Sequence, residues 1–307
     1  MLEDRIYSLN QYFRETFGEK VYRLSFNPGT TCPNRDGTVG TGGCVFCSEG
    51  GSGDFTPDTA LSVKEQLSCA RKLVSGKGAK LYLGYSQAFT GTYGDPERLC
   101  RCFSEVLSEP DIVGLSVGTR PDCLGEPVLS MLCRLRRQYG KPVYLELGLQ
   151  TANDCLAERL NRGYSYSCFE NAVRRLSELS FPVTVHLILG LPTETEADIL
   201  ETVRQVTLLP IHGLKLSLLY ILKGTPMETW YREHPEDFHF TEEADYYPLI
   251  EKCLRIIPKT VVIHRLTGDA PKKDLLVPKW TADKKHVLNT LVREMNRSGT
   301  VQGAGLP

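Results

Sequence analysis

Three cysteines stand close together in this chain: Cys32, then eleven residues, Cys44, then two residues, Cys47. Two cysteines separated by two residues can aim their sulfurs at one metal ion or at two corners of one cluster. The third comes from the far side of a loop, SFNPGTTCPNRDGTVGTGGCVFCSEGGSGDF, rich in Gly, Pro, Asn and Asp. Glycines let backbone amides approach a sulfide closely. Structural zinc closes its shell with four ligands, and catalytic zinc keeps three and an open position. Iron–sulfur clusters are usually held by four thiolates, so three cysteines leave one iron free. No histidine lies between residues 25 and 60 to complete a zinc site. A cluster is therefore ahead of zinc, although spacing alone leaves both open.

The other eight cysteines (Cys69, Cys100, Cys102, Cys123, Cys133, Cys155, Cys168, Cys253) are scattered, several within helical apolar patterns, and read as small packed hydrophobes. The total of eleven is odd, and a disulfide framework is not expected in an intracellular chain. MLEDRIYSLNQYFRETF mixes charge into helical spacing and has no signal-peptide core, and no apolar run is long enough to span a bilayer. A soluble, cytoplasmic protein without a membrane partner is expected. With 307 residues, 41% hydrophobic, 24% charged and a net charge of −1, bulk electrostatics selects no partner. From Lys272 to Arg297, however, seven basic residues face three acidic ones. This stretch reads as a solvated helical face or a phosphate-contacting surface.

These residues need a scaffold. Short β-rich runs recur at 21–26, 80–86, 112–118, 143–149, 183–189, 214–221 and 261–266, with helical patterns such as SVKEQLSCARKLV and EADILETVRQVTLL between them. The alternation predicts an α/β fold with a mainly parallel sheet. Such folds carry function at the carboxyl ends of strands, where this chain places Ser86-Gln87, Gly118-Thr119-Arg120, Gln150-Thr151, Gly190 and Tyr220. Six or seven strands are too few for an eight-stranded barrel, and pattern alone does not separate an open sheet from a partial barrel.

TTCPNRDGTVGTGGCVFC, GTRPDCL, the ELGLQT…LNRGY segment and HRLTGDAP together resemble the small radical S-adenosylmethionine (SAM) proteins of the YhcC/YtqA type, free-standing relatives of the Elongator catalytic subunit. The resemblance runs from about Val21 to the final VQG, one motif per βα unit. It implies a partial (β/α)6 TIM-like barrel over 21–266 with a cluster loop at 27–55. An N-terminal helical segment (1–20) and a C-terminal extension (267–307) packed on the barrel flank it. The implied cofactors are a [4Fe–4S] cluster on Cys32, Cys44 and Cys47 and SAM, cleaved reductively to methionine and a 5′-deoxyadenosyl radical. The superfamily's common spacing is C-x3-C-x2-C; the eleven-residue first gap belongs to the Elongator-like branch.

The same resemblance assigns roles. Gln150 matches the glutamine placed on the SAM ribose, and Arg162 the arginine paired with the methionine carboxylate; an amide suits a diol and a guanidinium suits a carboxylate. Glu146 shares the strand face of Gln150 by period-two geometry. Gln87 stands where many relatives have a Gly-Gly-Glu motif for the methionine amino group. Arg120 is a ligand contact or half of an Arg–Asp pair with Asp122, Gly190 lets backbone approach adenine, and Tyr220 packs on it. Phe46 shields the cluster. Asn34, Arg35 and Asp36 read as turn residues, and Thr90 and Tyr93 as loop structure. His186 reads as a core histidine, while His264 and Arg265 face the substrate side. The expected partners are a one-electron donor of the flavodoxin or ferredoxin class and tRNA, modified at a wobble-uridine side chain. No acetyltransferase domain accompanies the barrel, so trimming or rearranging an existing side chain is the expected reaction. The alternatives are a small-molecule substrate, or a zinc-stabilised nucleic-acid-binding protein without catalysis.

Overall fold

A computed structural model of the protein describes residues 2–51, 53, 56–268 and 270–306. Met1, Ser52, Asp54, Phe55, Asp269 and Pro307 lie outside the described residues, so parts of the expected 27–55 loop and of HRLTGDAP do too.

The apolar runs form strands β1 (Val21–Phe26), β2 (Leu81–Ser86), β3 (Ile112–Thr119), β4 (Val143–Gln150), β5 (Val183–Leu189), β6 (Gly213–Leu218), β7 (Ile221–Leu222), β8 (Val262–Arg265) and β9 (Leu275–Val277). Seven of them make one parallel sheet in the order β1-β2-β3-β4-β5-β6-β8. The run expected as one strand over 214–221 breaks after Leu218. Leu219 N–H turns back to Leu189 C=O (2.9 Å), and β7 leaves the sheet to pair antiparallel with β9.

Ten helices are described: α1 (Leu9–Phe17), α2 (Val63–Val74), α3 (Pro96–Ser108), α4 (Glu126–Tyr139), α5 (Asp154–Arg159), α6 (Tyr166–Glu178), α7 (Glu196–Thr207), α8 (Pro226–Glu233), α9 (Glu243–Arg255) and α10 (Lys284–Ser298). Local chemistry sets their ends. Ser62 with Glu65, and Thr195 with Asp198, form reciprocal capping boxes, and Asp95 caps α3 just before Pro96.

Alternation along the strands separates two faces. Leu24 and Phe26 of β1, and Leu214 and Leu216 of β6, are buried in the core shared with the helices, each contributing about 1.5–3 kcal/mol by leaving water. Arg23, Ser25, Lys215 and Ser217 point the other way and line an interior cavity. The sheet curls strongly: Arg23 on β1 and His264 on β8, the outermost strands, approach to 2.9 Å without the strands themselves pairing. The result is a partial TIM-like barrel, its parallel sheet built from the seven β-rich runs. Helix α1 packs on both β1 and β8.

Among the scattered cysteines Cys102 and Cys253 are buried as expected, but Cys69 and Cys155 are exposed, because they fall on the solvent side of α2 and α5. Among the described residues no helix is long and apolar enough to cross a membrane.

Candidate active site

The curled sheet encloses a cavity of about 480 Å³, lined by Cys32, Cys44 and Cys47 together with the carboxyl ends of the strands. The loop that carries the cysteines is held by a later part of the chain. Asn161 donates to Thr41 C=O (3.2 Å) and Gly43 C=O (2.8 Å), Val45 N–H bonds Leu160 C=O (3.1 Å), and Asn34 donates to the Asn161 carbonyl. Asn34 Nδ2 also lies 3.7 Å from Cys44 Sγ. Arg35 binds the carbonyls of Ser48 and Glu49, and its guanidinium sits 5.4 Å from the Phe89 ring centroid. Asn34 and Arg35 are therefore organisers of the loop rather than simple turn residues. Burial, then the neighbouring Cys47, pushes the Cys44 thiol up to about 12, so any metal centre bound there would displace this proton. Phe46 packs on the apolar cluster of Leu156, Leu160, Leu191 and Met227 while lining the cavity.

Deeper in, a charged network fills the floor. Glu146 is 1% exposed and is met by Arg23 (3.0 Å), His186 (2.9 Å), Ser116 (2.8 Å) and Lys215 in a close ion pair. Burial opposes ionisation of Glu146, but Arg23 and Lys215 outweigh it and hold its carboxyl well below the usual range. Burial lowers Lys215 to about 7 against the pull of Glu146, and His186 to about 4. His264, against Arg23, is likewise held neutral by burial and that cation.

Gln87, Arg120, Glu146, Gln150 and Tyr220, as well as His186 and Arg265, all line this one cavity. Gln150 arrives there differently from expectation. A bulge between Gly148 and Gln150 interrupts the β4–β5 register, and Gln150 adopts φ +66°, so strict period two does not carry from Glu146 to Gln150. The bulge re-aims the amide, whose Oε1 is buried without a hydrogen-bond partner in the protein. Ser86 Oγ and Arg23 Nε, lining the same cavity, are unpartnered too. Arg120 realises the Arg–Asp pair: it grips Asp122 through two bonds (2.9 and 2.7 Å), donates to Arg162 C=O (2.9 Å) and lies over Tyr164. Burial works against its charge, but Asp122 keeps it firmly protonated. Tyr93 bonds Thr38 (2.8 Å), a loop role as expected, whereas Thr90 is buried and lines the cavity.

Two of the expected residues lie outside this lining. Arg162 is not among the residues lining the cavity; its guanidinium binds the carbonyls of Leu149, Thr151 and Tyr164 at 2.7–2.9 Å and the Asp154 carboxylate at 2.9 Å. The turn after β4 thus engages four of the five guanidinium N–H groups. Gly190 is absent from the lining as well: its φ of +77° turns the chain after β5, and a Cβ there would meet Phe240 at 3.0 Å. Arg23, Tyr85, Tyr164 and Lys215 were not singled out from sequence. A lone lysine and arginine alternating with apolar residues inside strands were the available signal.

The donor set suits the expected cofactors. Three thiols open onto one cavity that also presents an unpaired amide oxygen and an unpaired hydroxyl. Residues 26–206 match the family model of the Radical SAM superfamily, and residues 211–297 that of the Radical_SAM C-terminal domain. The chain belongs to the radical SAM superfamily. YtqA of Bacillus subtilis is 38% identical over 98% of this chain and 92% of its own length, and YhcC of Escherichia coli K12 is 38% identical over 94% and 92%. The tRNA uridine(34) acetyltransferase of Dehalococcoides mccartyi is 29% identical over 52% of this chain and 34% of its own length. The solved structure of archaeal Methanocaldococcus infernus Elp3 superposes with a TM-score of 0.68 at 15% identity, covering 92% of this chain and 64% of that one. Radical SAM proteins bind a [4Fe–4S] cluster and SAM, and these are the cofactors of this enzyme.

Proposed function

We propose that this radical SAM enzyme holds its cluster on Cys32, Cys44 and Cys47 and alters the side chain of a wobble uridine in tRNA. The observation that carries the cofactor part is the convergence of the three thiols and the unpaired Gln150 amide oxygen in one cavity. When bound, cluster and SAM supply a 5′-deoxyadenosyl radical by one-electron cleavage of a carbon–sulfur bond, the electron coming from a donor of the flavodoxin or ferredoxin class.

The chain's own residues bind, orient and exclude water. Gln150 would offer a donor and an acceptor to the ribose hydroxyls, Gln87 would help receive the methionine amino group, and Tyr220 would provide a ring for adenine. Phe46 keeps water from the cluster. Arg120 and Arg162 act at one remove, fixing the turns that shape the pocket. The tRNA part is supported by the uridine-modifying relative and by the Elp3 likeness.

Anaerobic reconstitution should give a brown protein with about four irons per chain, and Cys44→Ala should lose the colour. A colourless zinc protein whose Cys44→Ala variant is unaltered would sink the cluster assignment. For the substrate, modified nucleosides of total tRNA are compared by mass spectrometry between cells with and without the gene. One wobble-uridine derivative should disappear and its precursor accumulate; an unchanged profile overturns the tRNA reading.

A further inference from the structure

Tyr85 is a phenol on the cavity floor that none of the steps above uses. It is 9% exposed, stands near the carboxyl end of β2 and lines the cavity that the three cysteines share. Lys215 Nζ donates to its hydroxyl over 3.3 Å, and the Arg23 and Lys215 cations lie 4.9 and 5.0 Å from its ring centroid. Burial, then the charge of Glu146, keeps the phenol protonated well past neutral pH. The groups facing it are thus Glu146, Lys215, Arg23 and Arg265, with His186 behind Glu146. An ammonium, anchored by a buried carboxylate, stands beside the phenol to supply a proton.

Radical chemistry makes a demand that SAM does not meet. After a substrate carbon radical has rearranged or fragmented, some group must hand it a hydrogen atom. Bonds weaker than an aliphatic C–H are those of thiols and phenols, and the thiols lining the cavity are assigned to the cluster. The phenols lining it are Tyr85, Tyr164 and Tyr220. Tyr164 spends its hydroxyl hydrogen on Gly148 C=O (2.6 Å), which holds it against the end of β4. Tyr220 lies beyond the end of β6, one residue before β7, where the chain leaves the sheet. Tyr85 combines enclosure, a carboxylate and an ammonium.

We propose that Tyr85 is the hydrogen-atom donor that ends the reaction, with Lys215 as its proton partner and Glu146 holding the Lys215 ammonium in place. The substrate radical takes the phenolic hydrogen, forming a C–H bond and leaving a tyrosyl radical. That radical accepts one electron from the same flavodoxin- or ferredoxin-class donor and one proton from the Lys215 ammonium, which is re-protonated from solvent. Each turnover then consumes two electrons, one to cleave SAM and one to restore Tyr85. The proposal rests on the family's radical chemistry and not on tRNA.

The test needs no substrate. The full-length reconstituted protein is given SAM and dithionite in D2O, where the phenol carries deuterium, and the 5′-deoxyadenosine formed by uncoupled cleavage is analysed by mass spectrometry. Wild type should give predominantly monodeuterated product, and Tyr85→Phe should drop the deuterated fraction at least severalfold per 5′-deoxyadenosine formed. With a single electron equivalent supplied, wild type should also trap a tyrosyl electron-paramagnetic-resonance signal that narrows on ring-deuterated tyrosine. An undeuterated wild-type product, or equal deuterium in wild type and Tyr85→Phe, overturns the proposal. Should Tyr85→Phe fail to hold its cluster, a fluorotyrosine incorporated at position 85 alone decides: a fluorine-split tyrosyl signal upholds the assignment, and an unsplit signal or none overturns it.

Discussion

Gln150 and Arg162 show how two side chains from one motif can take opposite duties. Gln150 accepts backbone strain at φ +66° and presents an unpaired oxygen to the cavity, the pattern of a residue kept for a ligand. Arg162 is 1% exposed and its partners are all protein groups. Gln150→Ala should therefore weaken SAM binding about three- to tenfold, the worth of a hydrogen bond or two, with iron content unchanged. Arg162→Met should cost about 3 kcal/mol of stability, since it strips donors from the carbonyls of Leu149, Thr151 and Tyr164. Equilibrium dialysis and urea unfolding separate the two; a large SAM defect at normal stability in Arg162→Met would restore it as a ligand. A third residue couples stability to pH. His212, its Nδ1 buried without a partner, is lowered from 6.5 to about 4 by burial. The unfolded chain takes up that proton below about pH 6.5 and the folded chain only below about 4. Its contribution is whole above that window and falls with falling pH, by on the order of 2 kcal/mol across it. His212→Phe should flatten the loss of stability between pH 7 and 5, read by urea unfolding; an unaltered slope refutes the assignment.

At the scale of elements, the cysteine loop and the turn after α5 form one unit. Asn161, at φ +53°, bonds two loop carbonyls, and Asn34 returns a bond to its carbonyl. Asn161→Ala should free the loop: limited proteolysis at Arg35 should accelerate and iron retention fall, while the melting temperature drops by only a few degrees, about 1–2 kcal/mol. Unchanged cleavage and iron would mean the clamp is idle. This unit also marks where the sequence was legible. The cysteines could be read because ligand spacing within one loop is local, and the strands because their apolar pattern is. Arg162 could not be read, since residue type declares a charge but not which carbonyls will claim it. Gln150 reached the expected cavity for a reason the pattern hides, a bulge. Lys215 and Arg23 were overlooked because each is a single cation in an apolar strand, although strict alternation with buried leucines already aimed both inward.

At the scale of the molecule, a curled sheet whose outer strands do not pair must be closed by something else. Side chains do part of this, through Arg23 and His264 across the interior. The chain's two ends do the rest. Ser8 bridges to Ile263 beside β8, and Gln302, 1% exposed, accepts from Tyr7 N–H (2.9 Å) and donates to Pro258 C=O (2.7 Å) and Val261 C=O (2.8 Å). One amide therefore ties the segment before α1 and the segment after α10 to the start of β8. Gln302→Ala leaves a buried N–H and two buried carbonyls unsatisfied, a cost of about 2–4 kcal/mol. Because the three segments share that amide, they should loosen together: hydrogen exchange should quicken in α1, β8 and the residues after α10, while β3 and β4 in the sheet's middle keep their protection. Quickening in the C-terminal segment alone would show that the two ends are anchored separately, and that α1 holds to the barrel edge without help from Gln302.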